Sequence, residues 1–443
     1  MRAVPSVFCS SDSGRRAGFA LEGVPLRQNE LERDGQYNMS GSNVQVQVIS
    51  TAEEFTRLQA EWDDLYERAE APRLSQSFEW LWYVWETLAL PAGGRLFCIA
   101  LRRSARLVLA WPMVIVRHKR LWTVATSLGS PEDYAADMLV DNSLDRTELA
   151  AAAWQTLRDR CRADFVHLER VRTDSLLHHV LAAGDARTVA VQHSPFLTWD
   201  RYKDWHAYWK SRGKTFPNTV DRKHRRLSEL GKLSFEIATD PQRCREMVEW
   251  TFRRKEEWLV RKGVTYSSSV GSARYMFFLA NASSRVNTFG QLIGCALLLD
   301  NKIIATQISL LNPHMTENIH IAYDFAYARF SPGLLLDRYV LQWAFERGIA
   351  YDFHFGTDDR KRALGNANCD VVTSNYYRTA WAWVYEYLRL CRSAQLVRRL
   401  RRWWFSPRRC EQPPGTETTR LGRWFICRLQ LVYSHKSRAV RSL

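Results

Sequence analysis

Residues Asn318–Gly356 read NIHIAYDFAYARF, then SPG, then LLLDRYVLQWAFERG, then IAYDFHFG. The first piece alternates as a strand over Asn318–Phe325. The third repeats apolar residues at helical spacing over Leu334–Arg347, and the fourth reads as a strand over Tyr351–Phe355. Strand, helix, strand in this order predicts two parallel strands joined by a right-handed crossover. Ser331 is expected to cap the helix, Pro332 suits its first turn, and Gly333 admits close approach of a ligand to the backbone. Leu334, Leu335, Tyr339, Leu341 and Trp343 supply packing, and Gly348 ends the helix in the left-handed conformation. In such a crossover the helix head lies at the carboxyl edge of the sheet. Its unpaired N–H groups and positive dipole end there suit an anion such as a diphosphate.

The flanking strands carry polar residues where a central parallel strand is normally apolar on both faces. Alternation puts Ile319, Ile321, Tyr323 and Phe325 on one side of the first strand, with His320, Ala322 and Asp324 on the other. In the second strand Tyr351, Phe353 and Phe355 share a face, and Asp352, His354 and Gly356 the opposite one. Asp358, Asp359, Arg360 and Lys361 follow at the same edge. Internal pairing accounts for any one of these groups, since a buried charge needs a partner. Their convergence on one edge marks a candidate site.

Outward from this segment, periodicity gives the same order of elements twice: a strand, helices, several antiparallel strands, a helix and a strand. The expected architecture is α+β, two tandem copies of one unit, each a mixed, mostly antiparallel sheet flanked by helices. The expected divisions are a disordered arm over 1–43, a first domain over 44–184, a second over 185–393, and a basic aromatic tail over 394–443. Met39, just before the first strand-like segment, is a candidate start. Leu107–Val116 is read as one strand, and the rings of Phe78, Trp80, Trp82, Tyr83 and Trp85 as mostly core.

The chain has 443 residues, of which 46% are hydrophobic and 25% charged, too apolar for a disordered protein. Its longest apolar run, near Arg106–Val116, falls short of the ~20 residues that span a bilayer. Nine cysteines are scattered without a C-x-x-C pair, so neither a zinc site nor a disulfide framework is expected, and the cytosol is the default compartment. The net charge of +16 is unevenly placed. Residues 394–443 hold eleven Arg and one Lys against two Glu, whereas the first 43 residues balance. The body is only mildly basic, which argues against a nucleic-acid partner. Gln395–Arg409 (QLVRRLRRWWFSPRR) alternates apolar and cationic residues and is expected to touch an anionic membrane face peripherally. The run Arg222–Arg226 (RKHRR) reads as a solvated helix face, with an anion patch as the functional alternative.

On the YD-x-x-YA-x-x-SPG pattern, the following helix and D-F-x-x-G, the chain resembles the GNAT acyltransferase superfamily. More narrowly it resembles the CelD-like branch tied to cellulose and exopolysaccharide biosynthesis, related to the Fem peptidyltransferases. The resemblance covers most of residues 44–390. It implies an acyl-CoA co-substrate, acetyl-CoA foremost, with backbone N–H groups of Ser331, Gly333, Leu334 and Leu335 on its phosphates and no metal. Asp324, Asp352 or His354 is expected to take the proton of an amine, and Lys361 to assist the leaving thiolate. The family's Tyr-Lys pair is replaced here by Arg360-Lys361. The function expected is N-acylation of an amino sugar or polysaccharide precursor. The alternatives are a Fem-like ligase using aminoacyl-tRNA and a noncatalytic accessory of a polysaccharide synthase.

Overall fold

The computed structural model describes residues 37–38, 44–119, 121–129, 137–263, 273–356 and 358–392. The readings at Met39 and at residues 395–409 fall outside them. Strand β1 (Tyr37–Asn38) precedes β2 (Val44–Ile49), helices α1 (Ala52–Arg57), α2 (Gln59–Arg68) and α3 (Phe78–Val84), and strand β3 (Arg95–Leu96). Strands β4 (Cys98–Arg103), β5 (Arg106–Trp111), β6 (Met113–His118), β7 (Trp122–Ser127) and β8 (Leu139–Val140) follow. Helix α4 (Arg146–Arg160), strand β9 (Phe165–Arg172) and helix α5 (Leu176–Ala183) complete the first half.

The second half opens on β10 (Arg187–Leu197), α6 (Trp205–Ser211), α7 (Thr215–Ser228) and β11 (Leu233–Ala238). It continues with α8 (Pro241–Lys262), α9 (Ala273–Ala282), β12 (Gln291–Leu299), β13 (Lys302–Leu311) and β14 (Met315–Tyr323). Last come α10 (Pro332–Glu346), β15 (Ala350–Asp352), α11 (Asp359–Leu364), β16 (Ala367–Tyr377) and α12 (Ala380–Arg392).

The halves repeat one plan, a mixed α/β arrangement with helices against sheets. Helix α4 links the parallel pair β7 and β9, and α10 links the parallel pair β14 and β15. The last strand of the second half, β16, pairs with β9 of the first. β10, which follows the first half's β9 and α5, lies between β15 and β16, while β16 lies between β10 and β9. The halves therefore share one eleven-stranded sheet, ordered β11-β12-β13-β14-β15-β10-β16-β9-β7-β6-β3. A second sheet of five strands, β1-β2-β4-β5-β8, covers the first half.

The single strand expected over Leu107–Val116 is two. β5 belongs to the five-stranded sheet and β6 to the eleven-stranded one, with Pro112 between them. Proline has no N–H for a ladder, so the chain changes sheets there. β14 begins at Met315, earlier than alternation suggested, and ends at Tyr323, while β15 stops at Asp352 rather than Phe355. Leu335, Leu336, Val340, Leu341 and Ala344 of α10 are fully buried against the sheet. Gly348 follows the helix at φ 66°, the left-handed conformation expected of it. Of the aromatic residues on and after α3, Phe78, Trp80, Tyr83 and Trp85 are buried and Trp82 is half-buried.

Candidate active site

The parallel pair β14 and β15 is short. Met315, Thr316 and Glu317 stand beside Ala350, Tyr351 and Asp352, and there the ladder ends. Past Asp352 the chain turns onto β10: the Phe353 N–H donates to Pro195 O (3.1 Å) and the Gly356 N–H to His193 O (2.8 Å). β14 stays with β13, its register shifting opposite Ile308 and Ser309 so that Ile319 is an extra residue. The two strands thus part beyond Glu317, and the turn carrying Ser331 enters α10 from the far end of β14.

At the head of α10 the expected capping arrangement differs. Ser331 sits at φ 52° and its side chain makes no cap to the helix. Its hydroxyl instead accepts from Lys223 Nζ on α7 at 2.5 Å. Of the four amides assigned to phosphate, the Ser331 N–H donates to Ala328 O, and the Leu334 and Leu335 N–H groups donate to Ser331 O. The Gly333 amide is left. A Cβ at Gly333 would stand 3.6 Å from Ile321 Cδ1, so the helix packs closely on β14. A lysine ammonium at the positive end of a helix is repelled, unlike a carboxylate, and its placement is favourable once an anion joins it. Burial and the neighbouring Arg222 hold the Lys223 ammonium below its ordinary pKa. The corresponding head in the first half is closed: Asp145 caps α4, its carboxylate accepting from Thr147 N (3.0 Å) and Glu148 N (3.2 Å). The RKHRR run is thus more than a solvated face, since His224 also contacts the Tyr339 hydroxyl at 2.7 Å.

Where β14 and β15 part lies a buried polar cluster built from both halves. Arg73, just before α3, donates to Glu317 and to Asp352 (2.9 Å), and Arg172 at the end of β9 reaches Asp352 at 3.4 Å. Burial raises the proton affinity of Glu317, against the lowering effect of Arg73. Asp352 also accepts from the His354 N–H at 2.7 Å. His354 is held at φ 67°, a conformation costly for a non-glycine residue. Lys361 fixes the same turn, donating to His354 O (3.1 Å) and Phe355 O (2.8 Å). Burial pulls the Lys361 ammonium down to about 8, and Lys255 on α8 likewise to about 8. Burial also holds His320 and His354 well below the ordinary imidazole range, so both rings are neutral.

Lys255 Nζ lies 3.2 Å from His320 Nδ1. An ammonium only donates, so Nδ1 accepts and the ring proton rests on Nε2. That Nε2 is buried and has no hydrogen-bond partner among the described residues. It is a donor with nothing yet to donate to.

The structure brings Asp352, His354 and Lys361 together. Asp324 is occupied elsewhere, since its Oδ1 accepts from Ala326 N (2.9 Å), capping the turn Phe325–Phe330, and its Oδ2 lies 3.8 Å from Arg254. Arg360 is paired with the buried Asp337 of α10, which ties the loop after β15 to that helix and makes the departure from Tyr-Lys a structural one. Sequence reasoning missed Glu317, Arg73, Arg172 and Lys255. A carboxylate three residues before His320, where the polar face of β14 begins, was a usable signal for Glu317; nothing local marked the rest. A cleft of about 610 Å³ lies at the amino end of β14, between Tyr66, Pro72, Phe289 and Asn312.

Replacing Lys255 with methionine is expected to raise stability by about 1–3 kcal/mol at pH 7, because it removes a half-buried charge that has no carboxylate partner among the described residues. The pH dependence has a definite sign. The unfolded lysine binds its proton up to about 10.5 and the folded one up to about 8, so wild-type stability rises between those pH values. Urea melts at pH 7 and pH 10 should show a smaller rise in Lys255→Met than in wild type.

Residues 214–362 match the family described as "Acetyltransferase (GNAT) domain". This part of the chain has the GNAT-type acyltransferase fold. Among solved structures, the chain is similar to FemX at 12% identity and a TM-score of 0.48, covering 71% of this chain and 96% of that one. It is also similar to a tandem GNAT protein from the clavulanic acid biosynthesis pathway, at 12% identity and a TM-score of 0.44, covering 75% and 99%. No curated protein matches the sequence.

Proposed function

We propose that this protein is an acyl-CoA-dependent N-acyltransferase of the CelD-like branch, acting in the cytosol on an amino sugar or polysaccharide precursor. The observation that carries the reading is the head of α10, which no side chain caps, with its Gly333 amide left over and Lys223 set against the helix dipole. Acyl-CoA fits what is there: the Gly333 amide and Lys223 would hold its diphosphate, and its thioester would supply the activated acyl group. The unpartnered His320 Nε2–H is placed to donate to a carbonyl oxygen, and neutral His320 can do so without giving up its proton. Lys361 supplies positive charge where a thiolate is released. Glu317, whose affinity for a proton burial raises, receives the proton that the attacking amine loses. Arg73, Arg172 and Asp352 hold Glu317 and the His354 turn in place.

Release of free thiol from acetyl-CoA in the presence of amino-sugar acceptors tests the reading. Glu317→Gln keeps the contact with Arg73 but cannot take a proton, and should lower kcat about a hundredfold with the fold intact. Acceptor-independent rates in wild type, or full activity in Glu317→Gln, would overturn these assignments. Acylation supported by aminoacyl-tRNA and not by acetyl-CoA would move the chain to the Fem-like reading.

A further inference from the structure

Helix α12 has an unusual surface. Its inward positions Ala382 and Tyr385 are buried, yet Trp381, Trp383, Val384 and Tyr387 are exposed. Twelve large apolar residues are exposed among the described residues, and four of them fall within Trp381–Tyr387. A fifth, Leu121 in the turn between β6 and β7, adjoins them: the Trp381 indole donates to Leu121 O at 3.1 Å. Large apolar side chains gathered on one exposed face mark an interaction surface, so this face calls for a cover.

The patch is rigid. Trp122 Nε1 donates to Trp381 O at 3.2 Å, and the two indoles stack with centroids 5.5 Å apart. Cations border it. Arg187 lies over the Trp383 ring at 4.6 Å, and exposed Lys119 belongs to the same turn as Leu121. The nearby Glu386 is taken up by the Tyr377 hydroxyl at 2.6 Å. From α12 the sequence runs directly into Gln395–Arg409, the head of a segment with twelve cationic and two acidic side chains. Indoles and a phenol bordered by arginine and lysine are the chemistry of a bilayer interface with anionic headgroups. No helix among the described residues is long and apolar enough to cross a membrane.

We propose that the exposed face of α12, with the Leu121 turn, rests on the surface of an anionic membrane. Rings enter the headgroup layer, and the basic segment after the helix adds electrostatic attraction. The protein binds the surface without spanning it.

Sedimentation of the full-length protein with vesicles of phosphatidylcholine alone, and of phosphatidylcholine with phosphatidylglycerol, tests this. Partition is expected on the anionic vesicles and should weaken as salt rises. The double substitution Trp383→Ser, Tyr387→Ser should lower partition about tenfold, with unchanged thermal unfolding and unchanged thiol release. Partition indifferent to that double substitution would overturn the proposal. A second measurement separates the covers: in Tyr387→Cys, maleimide labelling mapped to position 387 should be rapid in solution and slowed by anionic vesicles. Protection at position 387 before vesicles are added would show that the chain itself or a second copy occupies the face, and would equally overturn it.

Discussion

Arg73→Ala is expected to cost about 3–5 kcal/mol, seen as a large fall in the urea midpoint at pH 7. The guanidinium is buried and bridges two buried carboxylates, Glu317 and Asp352. Taking out one partner of a buried pair leaves the others charged, desolvated and uncompensated, and that is far dearer than losing a surface bridge. Arg172 offers Asp352 a second cation at 3.4 Å, but it makes no hydrogen bond or salt bridge to Glu317. The effect should therefore fall mainly on Glu317.

The same residue fixes the pH dependence. Burial already raises the folded-state proton affinity of Glu317 above its ordinary value of 4.5, and loss of Arg73 raises it further. A carboxyl group whose folded pKa is raised contributes stability below its unfolded pKa and loses it as pH rises through the folded value. The deficit of Arg73→Ala should shrink as the pH is lowered toward 4. A double substitution Arg73→Met, Glu317→Leu should recover much of the loss, since apolar residues of similar size replace buried ion pairs at little cost. Equal deficits at pH 4 and pH 7 would contradict this account of the cluster.

Much of the second half was legible in the sequence because its signals are local. The crossover from β14 through α10 to β15 follows from period-two and helical spacing around Ser-Pro-Gly, and Gly348 ends the helix as its conformational freedom requires. Lys361 and His354 were singled out by position at one sheet edge, and the structure brings them together. Arg73 lies 244 residues from Glu317, and no local pattern records such a pairing. The pairing of β16 with β9 across the halves is equally silent, because a strand's alternation says which faces it presents and not which neighbours it takes. Ser331 was read as a cap from its residue type. The cation of Lys223, from a helix over a hundred residues earlier, claims its hydroxyl instead. Nothing in the sequence of α12 says which of its aromatic residues face the core and which face outward.

The second large effect concerns ligand binding. Coenzyme A at 100 times its dissociation constant should stabilise the wild-type fold by about 2.7 kcal/mol. Lys223→Glu separates the two roles of the α10 head by sign. A carboxylate at the positive end of the helix should leave the ligand-free protein as stable as wild type or more stable, by up to about 1 kcal/mol. The same carboxylate repels a diphosphate, so the response to coenzyme A should vanish. A loss of response with a loss of ligand-free stability would mean only that the helix head was damaged.

The most direct test is the thermal unfolding of wild type and Lys223→Glu, each with and without coenzyme A. The predicted result is a clear upward shift in wild type and none in a variant whose ligand-free unfolding temperature is unchanged or higher. An unshifted wild type, or an equal shift in both proteins, would contradict an anion site at the head of α10.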